Sequence, residues 1–242
     1  MGRDIPLGRI AGVKVGMNVS VLLIAALYAW VLADNNFPIQ VPGLSPTAYW
    51  VAGIAGALFF FVSLLVHEVG HALVAREEGI GVRGISLWLL GGVARLESSP
   101  QTPRAEFRIA VVGPLASAAC GVLLLSVAYV LPDTGLWELA GTACAWLGRL
   151  NLILAAFNLL PAAPLDGGTV LSALIWWRTG SQTAGKLWAA RSGIAVGLGM
   201  VWWGFGELQG DDSGGYGIFF MMRRPPRSTP GRTLFPYTTL FR

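Results

Sequence analysis

The most constraining feature of this chain is a succession of apolar stretches, each about as long as a bilayer is thick. A helix of roughly 20 apolar residues crosses the hydrocarbon core. Such stretches cover residues 17–33, 49–75, 107–131, 139–160 and 187–205, and a sixth begins at Tyr216 and stops almost at once. A shorter apolar segment covers residues 169–177. Polar surface cannot compensate, because of 242 residues 54% are hydrophobic and only 12% charged. A soluble domain carries about twice that charged share. A water-soluble enzyme is excluded, and the chain reads as an integral membrane protein.

Charge then orients the spans, since Lys and Arg concentrate on the cytoplasmic side. With the N-terminus in the cytoplasm, the inside segments hold Arg3, Arg9 and Lys14, then Arg76, Arg83, Arg95, Arg104 and Arg108, then Arg178, Lys186 and Arg191. The outside loops hold acids such as Asp34, Asp133 and Asp211 and no Lys or Arg. Arg149, inside the fourth span, is expected to face a cavity or a polar partner rather than lipid. The net charge of +4 is a property of the end of the chain, where Arg223, Arg224, Arg227, Arg232 and Arg242 stand without an acid. No nucleic-acid partner follows from it.

The intervening segments are shorter. Residues 8–16 alternate weakly and suggest one short strand, and residues 81–98 suggest a strand or hairpin near the membrane surface. A loop rich in Pro, Asn and Gly is expected over residues 34–46. Cys120 and Cys144 sit in apolar stretches and read as small hydrophobes. From Met222 onward the text RRPPRSTPGRTLFPYTTLFR has neither helical nor strand period and resembles translated sequencing-adapter read-through. The expected organisation is one membrane-embedded domain over residues 1–221, its sixth span truncated, and a non-native or disordered basic tail over 222–242. The fold class is an all-α polytopic membrane protein with about five to six transmembrane helices and a small membrane-associated β hairpin or sheet.

The two histidines of the chain are His67 and His71, and with Glu68 they form HEVGH inside FFFVSLLVHEVGHALVA. Positions i and i+4 share a helix face, so both imidazoles can reach one metal ion, with the glutamate as base. Burying three ionisable groups in a membrane helix is expensive without function. Catalytic zinc takes three protein ligands and keeps a position for water. With no further histidine, the third ligand is a carboxylate or, less favoured, a cysteine. Asp166 in FNLLPAAPLDGG is the best candidate, because the adjacent glycines permit close backbone approach. Its other reading is an N-cap for a helix starting at Gly167. Charge counting brings the second span inward at His67–His71 and the fourth inward towards Asp166, so the two sites share a depth and a side.

Taken together, HEVGH, LLGGVARL, GPLAS and FNLLPAAPLDGG resemble the site-2 protease family of intramembrane zinc metalloproteases, over about residues 5–221. The resemblance implies His67, His71 and Asp166 as ligands of one catalytic Zn2+ and Glu68 as general base. It implies a substrate-binding role for Asn158, whose other reading is a hydrogen bond to a neighbouring helix. Gly91 and Gly92 fall in the family's membrane-associated β segment, which can pair with an extended substrate or simply close the fold. Gly113-Pro114 reads as a kink or packing point in the third helix. The segment between Leu96 and Phe107 is too short for the inserted peptide-binding domain of some relatives. The implied activity is regulated intramembrane proteolysis, with single-span membrane proteins in the lipid bilayer cut near the cytoplasmic side. In a bacterial cell membrane the implied substrates include anti-sigma factors and remnant signal peptides. The competing reading, a non-enzymatic membrane metal-binding protein or transporter, needs the three ligands but has no use for Glu68.

Overall fold

The computed structural model describes residues 5–88 and 91–208. The expected sixth span and the expected tail over 222–242 lie outside the described residues. The chain divides into two units, Met1–Trp203 and Gly204–Arg242, and of the second only the closing residues of the last helix are described.

Residues 8–16 belong to two strands rather than one. β1 (Ile5–Ile10) and β2 (Val13–Met17) pair antiparallel around Ala11-Gly12, whose φ values of 48° and 80° are both positive. That is the two-residue hairpin turn whose twist matches the strands. An alanine in its first position gives no turn signal in the sequence. β3 (Val82–Trp88) and β4 (Gly91–Leu96) form the expected hairpin. β2 lies parallel to β3, with Val15 opposite Ile85, and completes a four-stranded sheet in the order β1-β2-β3-β4.

Alternation gives this sheet an apolar face and a polar one. Val13, Val15, Ile85 and Leu87 are buried against Val21, Leu64 and Ala72, while Lys14, Arg83 and Arg95 of the opposite face are exposed. Leu64 and Ala72 flank the HEVGH motif, so the sheet docks on the turn of helix that carries it.

The first span is longer than expected. α1 (Ser20–Trp30) continues through a π-helical segment (Val31–Asn36) into α2 (Phe37–Gln40), where a loop was expected from Asp34. Side chains one turn apart satisfy the polar residues there: Trp30 Nε1 donates to Asp34 at 3.1 Å, and Gln40 donates to Asn36. Phe37 is fully buried and anchors the end. α3 (Pro46–Glu77), α4 (Pro103–Val130) and α5 (Gly135–Asn158) match the second to fourth spans. Ser45 caps α3 by accepting from the Ala48 amide, and Thr102 caps α4 by accepting from the Ala105 amide.

Among the described residues, four helical stretches are long and apolar enough to cross a membrane: Ser20–Gln40, Pro46–Glu77, Pro103–Val130 and Gly135–Asn158. α6 (Asp166–Thr179) has 14 residues and is too short to cross. α7 (Gln182–Leu208) is the helix expected as the fifth span, with a less apolar composition than the other four. Large apolar side chains such as Phe59, Leu123 and Ile194 remain more than half exposed, as lipid-facing positions require. This is a mostly helical integral membrane protein with a small sheet. α4 packs against α3, α5 and α6, and the site is assembled on it.

Candidate metal centre

α3 brings His67 and His71 to one face, with ring centroids 4.8 Å apart. Both are buried. α4 then orients each ring. His67 Nδ1 lies 2.9 Å from Ser117 Oγ, and His71 Nδ1 donates to the Ile109 carbonyl at 2.6 Å. Occupying both Nδ1 atoms turns both Nε2 atoms towards one point, which is how metal-ligating histidines are held.

Asp166 arrives at that point from the first residue of α6. Its Oδ2 lies 3.1 Å from His67 Nε2 and 3.4 Å from His71 Nε2. The N-cap of α6 is Leu165 and makes no side-chain capping bond, so the carboxylate of Asp166 serves the histidines and does not cap the helix. The glycines after it do what the sequence suggested. A Cβ on Gly167 would stand 2.2 Å from the Leu160 carbonyl oxygen, and one on Gly168 2.4 Å from the Ala163 nitrogen.

Two further glycines are shaped by the site. A Cβ on Gly113 of α4 would lie 2.2 Å from His71 Nε2 and 2.6 Å from His67 Nε2. A Cβ on Gly92 of β4 would lie 2.2 Å from Glu68 Cγ and 2.8 Å from its Oε1. Gly113 therefore makes room for the imidazoles, and Gly92 for the glutamate. Ala94 of β4 lines the same cavity as Glu68.

The donor set suits a metal ion. One ligand atom from each of His67, His71 and Asp166 lies within 4.8 Å of the others. Ligands about 2.0–2.1 Å from a tetrahedral zinc are about 3.3 Å from each other, close to the two Nε2–Oδ2 separations. Two imidazoles and a carboxylate also match the chemistry zinc prefers over harder cations. A cavity of about 580 Å³ opens beside these groups, walled by Glu68, His71, Asp166 and the β4 residues Gly92, Val93 and Ala94.

The structure brings together His67, Glu68, His71, Asp166 and Gly92. Gly91 starts β4 opposite Trp88, and Asn158 is the partly exposed last residue of α5; neither lines this cavity. Ser117 and the Ile109 carbonyl were missed by sequence reasoning. Only Gly113, read as a packing point, carried a signal. Pro114 is buried within α4, which continues through it.

Known proteins resemble this chain in sequence and in fold. The model of the Peptidase family M50 matches residues 55–145 and 136–200. The Rip3 protein of Mycobacterium tuberculosis is 42% identical over 204 residues, which cover 84% of this chain and 52% of Rip3. The zinc metalloprotease MJ0392 of Methanocaldococcus jannaschii is 31% identical over 205 residues, 84% of this chain and 55% of that protein. The solved structure of a site-2 protease from Methanocaldococcus jannaschii superposes with a TM-score of 0.55 at 26% identity, covering 91% of this chain and 89% of that one. The chain belongs to peptidase family M50, the site-2 proteases. It spans about half the length of the curated relatives it matches.

Proposed function

We propose that this protein is an intramembrane zinc endopeptidase. The observation that carries the reading is the meeting of His67, His71 and Asp166 around one point on membrane helices, with the Glu68 carboxylate beside it. In this reading the two histidines and Asp166 are the zinc ligands and Glu68 is the general base. Zinc held there supplies a Lewis acid for the scissile carbonyl and makes a water molecule more acidic. Glu68 accepts a proton from the attacking water. As the C–N bond breaks, it returns that proton to the leaving amine.

A transmembrane helix hides its own peptide groups, so the substrate must be opened before attack. β4 is an edge strand and lines the cavity through Gly92, Val93 and Ala94. An edge offers backbone groups to an added strand, and this segment, from Gly91, is assigned to hold the unwound substrate. Asn158 is assigned to the substrate flank outside the cavity wall. The protein is placed in a bacterial cell membrane with its N-terminus in the cytoplasm. Its substrates are single-span membrane proteins cut near the cytoplasmic side, with anti-sigma factors and remnant signal peptides as the leading classes. Residues 1–221 form the protease domain and 222–242 a tail foreign to it.

The test is cleavage of labelled single-span proteins by the purified chain in detergent, with bound zinc measured alongside. Zinc bound with cleavage of none of them would move the assignment to a metal-binding protein.

A further inference from the structure

The cavity beside the metal centre holds three carboxylates, Glu68, Asp166 and Glu106. The first two are accounted for by the proposed chemistry, and the third is not. Glu106 lies in the first turn of α4 and is only 4% exposed. Its polar side-chain contact is the Gln182 amide nitrogen at 3.5 Å, and among the described residues no cation pairs with it. Lys186, one turn after Gln182 on α7, lines the same cavity without forming an ion pair with Glu106. A buried carboxylate without a charged partner is costly, and a cation entering the cavity would supply one.

Its placement says which cation. Glu106, Ile109, Gly113 and Ser117 follow one another at intervals of three or four on a single face of α4. The last three hold or accommodate the histidines. Glu106 continues that face towards the N-terminus of α4, about 10 Å along the axis from Gly113 at 1.5 Å per residue. An extended chain covers that distance in about three residues. In the proposed orientation this end of α4 is cytoplasmic, where single-span membrane proteins carry their flanking Lys and Arg.

We propose that Glu106 forms a subsite for a basic side chain of the substrate, about three residues from the scissile bond on the cytoplasmic side. The inference rests on the endopeptidase reading. It defines the substrate class further, as membrane segments with a Lys or Arg at that spacing from the cut.

The experiment uses the full chain and one single-span substrate carrying Arg, Gln or Glu at each of five positions on the cytoplasmic side of the scissile bond. Wild type is expected to cleave the Arg form at least about tenfold faster in kcat/KM than the Gln form, as a charge-assisted hydrogen bond allows. The advantage should peak near the third position, with the Glu form slowest. Glu106→Gln is expected to bring the Arg-to-Gln ratio close to one, and Glu106→Arg to favour the Glu form. Lys186→Met should keep the wild-type order. A flat wild-type series, or an unchanged ratio in Glu106→Gln, overturns the subsite, and the wild-type series decides the matter even if the variants do not fold. Binding of the same substrates to Glu68→Gln, read by fluorescence anisotropy, separates the two readings. A preference for Arg without cleavage by wild type leaves the subsite standing and removes the endopeptidase. Equal affinities remove the subsite.

Discussion

Ser117 Oγ lies 2.9 Å from His67 Nδ1, across fifty positions of sequence, and Ser117 is wholly shielded from solvent. This hydroxyl is what α4 contributes to the aim of the first imidazole. Partners of this kind are worth about 10–100-fold in metal affinity. Ser117→Ala is therefore expected to weaken zinc binding by that factor while the helices remain folded. Chelator competition followed by atomic absorption measures the first, and circular dichroism checks the second.

Gly113 and Gly70 should respond in opposite ways to the same substitution. A methyl group on Gly113 would lie 2.2 Å from His71 Nε2, whereas on Gly70, inside HEVGH itself, it meets Val112 at an ordinary 3.6 Å. Gly113→Ala is expected to lose zinc, and Gly70→Ala to keep it. Metal content per mole of each purified variant decides between this expectation and a uniform tolerance of alanine.

Glu68 and the ligands should separate in the same assay. Glu68→Gln keeps the shape of the site and removes the base, so zinc stays bound and cleavage falls by about 10²–10⁴-fold. Asp166→Ala instead removes a ligand and should lose both. A chelator should abolish activity in wild type, and added Zn2+ should restore it. Retention of cleavage by Glu68→Gln would assign proton transfer to another group.

The edge strand offers a further separation. Gly92→Ala places a methyl group 2.2 Å from Glu68 Cγ and leaves the three ligands untouched. Cleavage should drop with zinc occupancy unchanged, the opposite of Gly113→Ala. Loss of metal in Gly92→Ala would show that β4 supports the ligands rather than the base.

Much of this centre is legible in the sequence itself. His67 and His71 meet because an α-helix repeats every 3.6 residues, and that relation is internal to one element. Asp166 was reachable because few acids stand near a membrane segment and the charge pattern set its depth. The β3–β4 segment was legible as a strand or hairpin from its glycines and short apolar run, while the β1–β2 turn was hidden by an alanine with positive φ. The helix over Ser20–Gln40 ran through an expected loop because Asp34 and Asn36 find partners one turn away, which composition alone does not reveal.

The packing of α4 belongs to the tertiary structure. Glu106, Ile109, Gly113 and Ser117 look inward together only because that helix has one rotation against α3 and α6. In a soluble helix the polar face would have announced the rotation. Here both the lipid and the protein interior are apolar, so a sequence such as EFRIAVVGPLAS carries little asymmetry from which the inward face can be read. Local periodicity therefore settled which residues on α3 can bind a metal together. Which groups on α4 hold them in place, and which carboxylate waits beside them, was settled by how the helices pack.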